Sequence, residues 1–291
     1  MKNLVIGAIH GYEWKDVEPF VVSLENTGFD GHKCMIIYTA KQALIDKLED
    51  RGWTLFGHQK AEDGDGVTYQ NVDTFNICVD RFYHYWAFLK DIPVANILAC
   101  DVKDVVFQSD PFERAKEIYN DPDGLPKDTK ILSSGEGLLY KDEPWGWNNI
   151  TQSFGPPIAD KFSNKEIINA GVIYGDGRTM LDLFLHIFLT SRGAPYHVPG
   201  GGGPDQAAYN IVAPLFNNYI VADENAWACQ AGTTADPSKI EEFRDNLVST
   251  EPVWDGEQVM NTQGKPYAIV HQYDRVPEWN KVMDKKYRET E

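Results

Sequence analysis

The sequence is poor in cysteine, in basic charge and in long apolar runs. Its four cysteines are scattered without CxxC spacing, which argues against a disulfide framework and favours buried, reduced thiols. Lysine and arginine number 27 against 44 aspartates and glutamates, and the net charge of −17 disfavours nucleic acid and anionic membranes as partners. No segment approaches the roughly 20 apolar residues of a membrane span, and the N-terminal apolar run is shorter than a secretory signal requires. We therefore expect a cytoplasmic protein without a membrane span.

Three nucleotide-binding motifs are missing as well. The first predicted strand is followed by no GxGxxG, because the glycines there are Gly7 and Gly11 only, and this disfavours a dinucleotide oxidoreductase. The segment His10–Trp14 lacks the Gly/Arg/Lys-rich phosphate loop expected of a nucleotidyltransferase. The run Gly200–Gly203 is not followed by the Lys-Ser/Thr pair of a P-loop. That run therefore predicts a mobile loop beside a binding site.

What the sequence does contain is a regular alternation of predicted strands and helices in its first hundred residues. Such alternation predicts an α/β fold, a single Rossmann-like domain whose mostly parallel central sheet is flanked by helices. The predicted elements of this half are strands at Leu4–Ile9, Lys33–Tyr38, Trp53–Phe56 and Val94–Cys100, and helices at about Asp16–Asn26, Lys41–Arg51 and Asp73–Lys90. The second half predicts strands at Ile131–Ser134, Gly171–Tyr174 and Tyr267–Val270, helices near Met180–Ser191 and Asp205–Val212, and a loop over Tyr140–Pro157.

The most informative stretch is the apolar run Val94–Cys100, which ends at Asp101 and Asp104 and is followed by an Asp-Pro helix start at Pro111. An apolar run of this length is typical of a strand buried on both faces of a parallel sheet. Ligands of open α/β sheets bind just beyond the carboxyl ends of such strands. Two carboxylates there suit Mg²⁺ or Mn²⁺. The alternative is that Asp101 caps a turn and Asp104 is solvated.

Four segments together resemble the glycosyltransferases of the GT-A fold. The resembling segments are the acidic motif Asp101–Phe112, the strand Asn169-Ala-Gly-Val-Ile, the helix start Pro204-Asp-Gln with Asn210, and the C-terminal segment His271-Gln-Tyr-Asp-Arg. Their order and spacing cover most of the chain. The chain also resembles the members of this family that large DNA viruses of algae encode, among them xylosyltransferases.

The resemblance implies a glycosyltransferase that moves a sugar from a nucleotide-sugar, a UDP-sugar such as UDP-xylose, onto a glycan hydroxyl. It implies one domain over residues 1–291, with a nucleotide-binding half at about 1–110 and an acceptor-facing half at about 111–291. Mn²⁺ or Mg²⁺ would be held by Asp101, Asp104 and His271. The residues expected to contact the donor are Ala8, Ile9, His10, Arg81, Asp101, Lys103, Asn169, Ala170, Gly171 and Gln206.

One position departs from the family pattern. The usual motif is Asp-x-Asp, whereas Lys103 occupies the third position here and the second carboxylate must come from Asp104. Lys103 itself would then offset phosphate charge. Two alternatives follow: a metal-independent enzyme, or a non-catalytic carbohydrate- or nucleotide-binding protein on a decayed glycosyltransferase fold. His271 could also be a structural histidine at a strand end.

If transfer inverts the configuration of the sugar, Asp205 or Glu136 is the candidate base that deprotonates the acceptor hydroxyl. If transfer retains it, Asp205 is expected to orient the donor instead. Because Asp205 follows Pro204 at a predicted helix start, the helix dipole is expected to lower its pKa. The alternative for Asp205 is an ordinary helix cap.

Three further side chains carry alternatives of their own. Arg81 is a candidate for a diphosphate or base contact, or else it forms a surface salt bridge. Trp145 and Trp147 are candidate platforms for the acceptor sugar, against simple packing within the loop.

Overall fold

A mixed β-sheet forms the centre of the computed structural model, which describes residues 1–57, 64–68, 76–122, 124–194 and 202–288. The strands are β1 Leu4–His10, β2 His32–Ala40, β3 Thr54–Gly57, β4 Val67–Thr68, β5 Asn96–Cys100, β6 Val105–Phe107, β7 Ile131–Leu139, β8 Glu166–Asp176, β9 Asn218–Ile220, β10 Ala228–Gln230, β11 Val253–Trp254, β12 Val259–Met260 and β13 Ile269–His271. The α-helices are α1 Trp14–Asn26, α2 Gln42–Asp50, α3 Ile77–Leu89, α4 Pro111–Asn120, α5 Pro144–Phe154, α6 Pro156–Phe162, α7 Gly177–Ser191, α8 Asp205–Val212, α9 Ala231–Thr234, α10 Ile240–Phe243 and α11 Pro277–Tyr287.

The central sheet has the order β3-β2-β1-β5-β8-β7-β9, with β4 added beside β2. Strand β1 is parallel to β2 and β5, β2 is parallel to β3, and β7 is parallel to β9. Strand β8 runs antiparallel to both of its neighbours, β5 and β7. The predicted α/β fold with a mostly parallel central sheet is therefore confirmed.

Helices cover both faces of this sheet, as β1 illustrates. Val5 and Ile9 point to a core that includes residues of α1, α2 and α4, whereas Leu4 and Ile6 point to a core built with α3, α7 and α8. All four side chains are at most 1% exposed. Each such burial stabilises the fold by roughly 1.5–3 kcal/mol. Because both faces are buried, the strand is continuously apolar rather than alternating.

A second sheet of three short strands has the order β10-β13-β6. Strand β13 runs parallel to β10 and antiparallel to β6. Strand β6 follows β5 after only four residues, Asp101 to Asp104, so this segment leads the chain from the central sheet into the small one. The acid pair predicted from the sequence therefore lies where the two sheets meet.

The loop predicted over Tyr140–Pro157 is wrong, because this segment contains a 3₁₀ turn, helix α5 and the start of helix α6. Its prolines occupy the first turns of the two helices, where the missing N–H is not needed. The carboxylate of Glu143 caps α5 by accepting from the backbone N–H groups of Trp145 and Gly146. Gly155, with a φ of +83°, separates the two helices.

Two of the predicted segments extend beyond the described residues. Helix α3 begins at Ile77, after the cap Asn76, and the predicted start at Asp73 lies outside the described ranges, as do Gly200 and Gly201 of the glycine run. None of the helices in the described ranges is long and apolar enough to cross a membrane.

Candidate active site

A cavity of about 640 Å³ opens at the carboxyl ends of β1 and β5. Every residue predicted from the sequence for the metal, the donor or catalysis lines it. These are Ala8, Ile9, His10, Arg81, Asp101, Lys103, Asp104, Glu136, Asn169, Ala170, Gly171, Asp205, Gln206 and His271. Their placement in one cavity leaves their individual roles as predictions.

Strand pairing brings the two aspartates and the histidine together. Asp101 follows β5, and its backbone N–H donates to the Gly171 carbonyl on β8 over 2.8 Å. Asp104 precedes β6, whose Val105 is paired with His271 of β13. The His271 Nε2 atom lies 3.7 Å from Asp101 Oδ2 and 3.6 Å from Asp104 Oδ1. One ligand atom from each of the three residues lies within 4.8 Å of the others.

These three residues fit a divalent cation. His271 is buried, and its Nε2 has no hydrogen-bond partner, which is costly for a buried polar atom unless a ligand satisfies it. The absence of a side chain at Gly171 keeps the space between Asp101 and His271 open. A Cβ at this position would lie 2.7 Å from Asp101 Oδ2 and 2.6 Å from His271 Cε1. Two carboxylates and an imidazole are a suitable donor set for Mn²⁺.

The electrostatics of the cluster also favour a positive charge. Burial alone would lower the pKa of His271, but the carboxylates of Asp104 and Asp101 outweigh it and raise that pKa to about 10. Burial would raise the pKa of Asp101, but Arg81 and His271 hold it well below its usual range. A cation that entered the cluster would replace the proton on the imidazole.

The four-residue segment between the sheets also explains the unusual spacing of the acids. Val102 points inward and is 2% exposed, and its Cγ1 occupies the space that a Cβ at Gly7 would need. Lys103 lines the cavity, with its ammonium 5.7 Å from the centre of the Tyr12 ring. Compared with Asp-x-Asp, this segment has one more residue between its two acids. With that spacing the Val102 side chain packs into the core, and Asp104 still lies beside His271.

Arg81 connects two parts of the site. One guanidinium nitrogen donates to Asp101 Oδ1, and the other donates to Asp205 Oδ2 over 3.2 Å and to the Ala170 carbonyl over 3.4 Å. Arg81 therefore forms salt bridges, as the alternative expected, but its side chain is only 13% exposed, so these pairs do not lie on the surface. The guanidinium is already engaged by two carboxylates in this arrangement.

Asp205 is the first residue of α8, and Pro204 rather than Asp205 occupies the cap position. The expectation of a lowered pKa is wrong. Burial raises the pKa of Asp205 to about 6, with Asp101 adding to the rise and Arg81 opposing it. Loss of hydration here outweighs the favourable helix dipole.

Glu136 on β7 sits in a network of side-chain amides. Its Oε1 accepts from Asn169 Nδ2 over 2.9 Å and from Gln206 Nε2 over 3.0 Å. The amide oxygen of Asn169 in turn accepts from the Gly171 N–H over 2.6 Å, which fixes the orientation of that amide. Burial raises the pKa of Glu136 to about 7. Within the described residues, no basic side chain forms an ion pair with it.

Sequence reasoning missed several residues of the cavity and its surroundings. Tyr12 lines the cavity just after β1, and its position beyond a strand end was the signal that could have found it. Gln230 holds the His271 imidazole, but the strand that carries it is too short to show a periodic pattern. Of the two candidate platforms, Trp145 lines the cavity, whereas Trp147 packs against the cluster around Tyr140.

Comparisons with known proteins bear on the fold. No protein-family model matches the sequence, and no curated protein is significantly similar to it. The solved structures that are similar to the chain as a whole include three glycosyltransferases. The glycosyltransferase GlyE of Streptococcus pneumoniae has a TM-score of 0.50 and 12% identity, and the match covers 93% of this chain and 54% of GlyE. The bifunctional glycosyltransferase WbbM has a TM-score of 0.54 and 10% identity, and the match covers 96% of this chain and 49% of WbbM. The galactosyltransferase LgtC, in complex with donor and acceptor sugar analogues, has a TM-score of 0.51 and 12% identity, and the match covers 99% of this chain and 97% of LgtC. The chain thus spans about half of GlyE and WbbM and nearly all of LgtC.

At 10–12% identity these similarities establish the fold alone. The fold is that of the GT-A glycosyltransferases, as the resemblance of the four sequence segments implied. What the cavity does is a separate question, which its chemistry must answer.

Proposed function

We propose that this protein transfers a sugar from a nucleotide-sugar to a hydroxyl of a glycan, with Mn²⁺ or Mg²⁺ held by Asp101, Asp104 and His271. The observation that carries the proposal is the buried Nε2 of His271, which has no hydrogen-bond partner and faces two carboxylates in the cavity of a GT-A fold. When bound there, a divalent cation stabilises the negative charge that builds on a departing diphosphate.

Lys103 and Tyr12 have positions that suit the nucleotide part of the donor. Both line the cavity where β1 and β5 end, near His10. Arg81 is engaged by Asp101 and Asp205, whereas the Lys103 ammonium lies over an aromatic ring. We therefore assign the diphosphate contact to Lys103 and the nucleobase contact to the ring of Tyr12.

Glu136 is the better of the two candidate bases. A general base works best when its pKa is close to the working pH, and the pKa of Glu136 is raised to about 7. The carboxylate of Asp205 is instead held by Arg81. We assign proton removal from the acceptor hydroxyl to Glu136, and the orientation of the donor to Asp205 and Gln206.

The donor is proposed to be a UDP-sugar, UDP-xylose in particular. This part rests on the resemblance to the enzymes of algal viruses. The glycan acceptor would enter from the side of the cavity lined by Glu143, Trp145 and Thr233, where an aromatic ring is available to stack on a sugar.

Release of UDP tests the function directly. The whole chain is incubated with UDP-xylose, UDP-glucose and GDP-mannose, with glycan acceptors, and with Mn²⁺ or a chelator. We expect cation-dependent formation of UDP and of an extended glycan. Saturable binding of nucleotide-sugar without any release of UDP, even with acceptors, would instead identify a non-catalytic binding protein.

A further inference from the structure

A chain of buried hydrogen bonds leads away from the metal cluster to the backbone. The imidazole Nδ1 of His271 lies 2.6 Å from Gln230 Oε1, and Gln230 Nε2 lies 2.8 Å from Ser134 Oγ. The Ser134 hydroxyl donates to the Ala228 carbonyl over 3.4 Å. The side chains of His271, Gln230 and Ser134 are each only 2% exposed, so water does not compete for these bonds.

The backbone carbonyl at the end of the chain sets the direction of every bond in it. A carbonyl can only accept, so the Ser134 hydroxyl is the donor to Ala228. The Ser134 oxygen then accepts from the amide NH₂ of Gln230. The amide oxygen of Gln230 must therefore face the imidazole and accept its Nδ1–H.

We propose that Gln230 is a positioning residue that keeps the proton of His271 on Nδ1 and holds the ring so that Nε2 faces Asp101 and Asp104. This inference rests on the proposed cation site. A metal-bound histidine usually donates its second N–H to a partner that fixes the ring, and here a neutral amide is in that place. The amide fixes the ring without adding a negative charge to a cluster that already holds two carboxylates.

The surroundings of Gln230 make it a rigid support. Gln230 on β10 is the strand partner of His271 on the parallel strand β13. Its own carbonyl accepts from the Thr234 hydroxyl over 2.8 Å and from the Thr233 hydroxyl over 3.4 Å. Both the backbone and the side-chain amide of Gln230 are therefore fixed before any ligand arrives.

Three variants of the full chain test the proposal by Mn²⁺ affinity, measured by electron paramagnetic resonance titration without any donor. Gln230→Leu keeps a side chain of similar size but removes the oxygen that accepts the Nδ1–H of His271. We expect the affinity for Mn²⁺ to fall about 10- to 100-fold. Gln230→Glu keeps an acceptor for Nδ1–H, and we expect it to bind Mn²⁺ at least as tightly as the wild type. Ser191→Ala removes a buried hydrogen bond within α7, from the Ser191 hydroxyl to the Ile187 carbonyl, and should leave Mn²⁺ affinity unchanged.

The ¹⁵N chemical shifts of the imidazole give a second readout that a merely structural role would not move. With Mg²⁺ as a diamagnetic probe, Nδ1 of His271 should carry the proton in the wild type and in Gln230→Glu. An unprotonated Nδ1 in the wild type, or equal Mn²⁺ affinity in Gln230→Leu, would overturn the role of Gln230. Absence of Mn²⁺ and Mg²⁺ binding to the wild type would instead refute the cation site, so the two failures can be told apart.

Discussion

Arg81 and Asp205 form a buried ion pair, with Nη2 of the guanidinium 3.2 Å from Oδ2 of the carboxylate. The same guanidinium also bonds Asp101, a predicted metal ligand. One side chain on α3 therefore links the end of β5 to the start of α8. The arrangement couples the position of Asp101 to that of the first turn of α8.

The first prediction concerns this link. Replacement of Arg81 by Met leaves the buried carboxylate of Asp205 without its partner, and loss of one partner of a buried pair costs about 3 kcal/mol or more. We expect a loss of that size in the free energy of unfolding, measured by urea denaturation. Arg244→Met breaks the exposed pair with Glu251 and should change stability much less, because water screens an exposed ion pair. Equal losses in the two variants would show that the Arg81 link is energetically unimportant.

The second prediction concerns the metal ligands. Asp101→Ala should abolish the part of UDP affinity that depends on Mn²⁺, because it removes a ligand atom beside His271. Asp104→Ala should have an equal or smaller effect. Calorimetric titration with UDP in Mn²⁺ and in chelator measures both. Asp128→Ala, at an exposed position, is the matched control. Full UDP affinity of the wild type in chelator would exclude a role for the metal in donor binding and leave the diphosphate to Lys103.

The third prediction is a dependence on pH. Because the pKa of Glu136 is raised from 4.5 to about 7 in the folded protein, its protonated form is favoured by folding. The contribution of Glu136 to stability is therefore complete below about pH 4.5 and is lost as the pH rises through about 7. The difference in unfolding free energy between wild type and Glu136→Gln should change across this window and stay constant above it. A difference that does not vary with pH would contradict the raised pKa.

The fourth prediction separates the two candidate bases. Glu136→Gln should lower the transfer rate by about 10²-fold or more, the scale of lost general-base catalysis, while UDP affinity stays nearly unchanged. Its remaining activity should lose the rise with pH near 7 that the wild type shows. Asp205→Asn is the comparison, and initial rates with a fixed donor measure both. If Asp205→Asn loses as much and alone removes the pH dependence, Asp205 is the base.

The fifth prediction concerns the donor. UDP-xylose should raise the melting temperature in Mn²⁺ more than UDP-glucose or GDP-sugars do, because ligand that binds only the folded state stabilises it according to its affinity. A pentose lacks the C6 hydroxymethyl group, which a close-fitting pocket would exclude by steric clash. Equal changes in melting temperature for all UDP-sugars would support recognition of the nucleotide but contradict selective recognition of xylose.

Local patterns in the sequence are sufficient to predict much of the fold. The apolar run before Asp101 predicts β5, and Asp110-Pro111 predicts the start of α4, where Asp110 does cap the helix. The helix predicted over Asp205–Val212 is confirmed at both ends. In each case the signal comes from neighbouring residues, such as a buried run or a cap, and needs no knowledge of distant contacts.

What could not be predicted depends on long-range pairing. Gln230 reaches His271 only because β10 and β13 are partners, and neither strand has more than three residues. The raised pKa of Asp205 arises from burial and from Asp101, about a hundred positions away in the chain. Helix α5 was missed because Trp, Gly, Pro and Asn suggested a loop, whereas its cap and its first-turn proline suit a helix.

The close packing of Val102 against Gly7 predicts how these two positions vary among homologues. Since the Val102 side chain fills the space above Gly7, a larger residue at position 7 is compatible only with a smaller one at position 102. The two positions should therefore covary, and a glycine in the middle of the first strand should accompany the Asp-x-x-Asp form of the acidic motif. This pair of positions is a signature by which distant homologues with the four-residue spacing could be recognised in genome sequences.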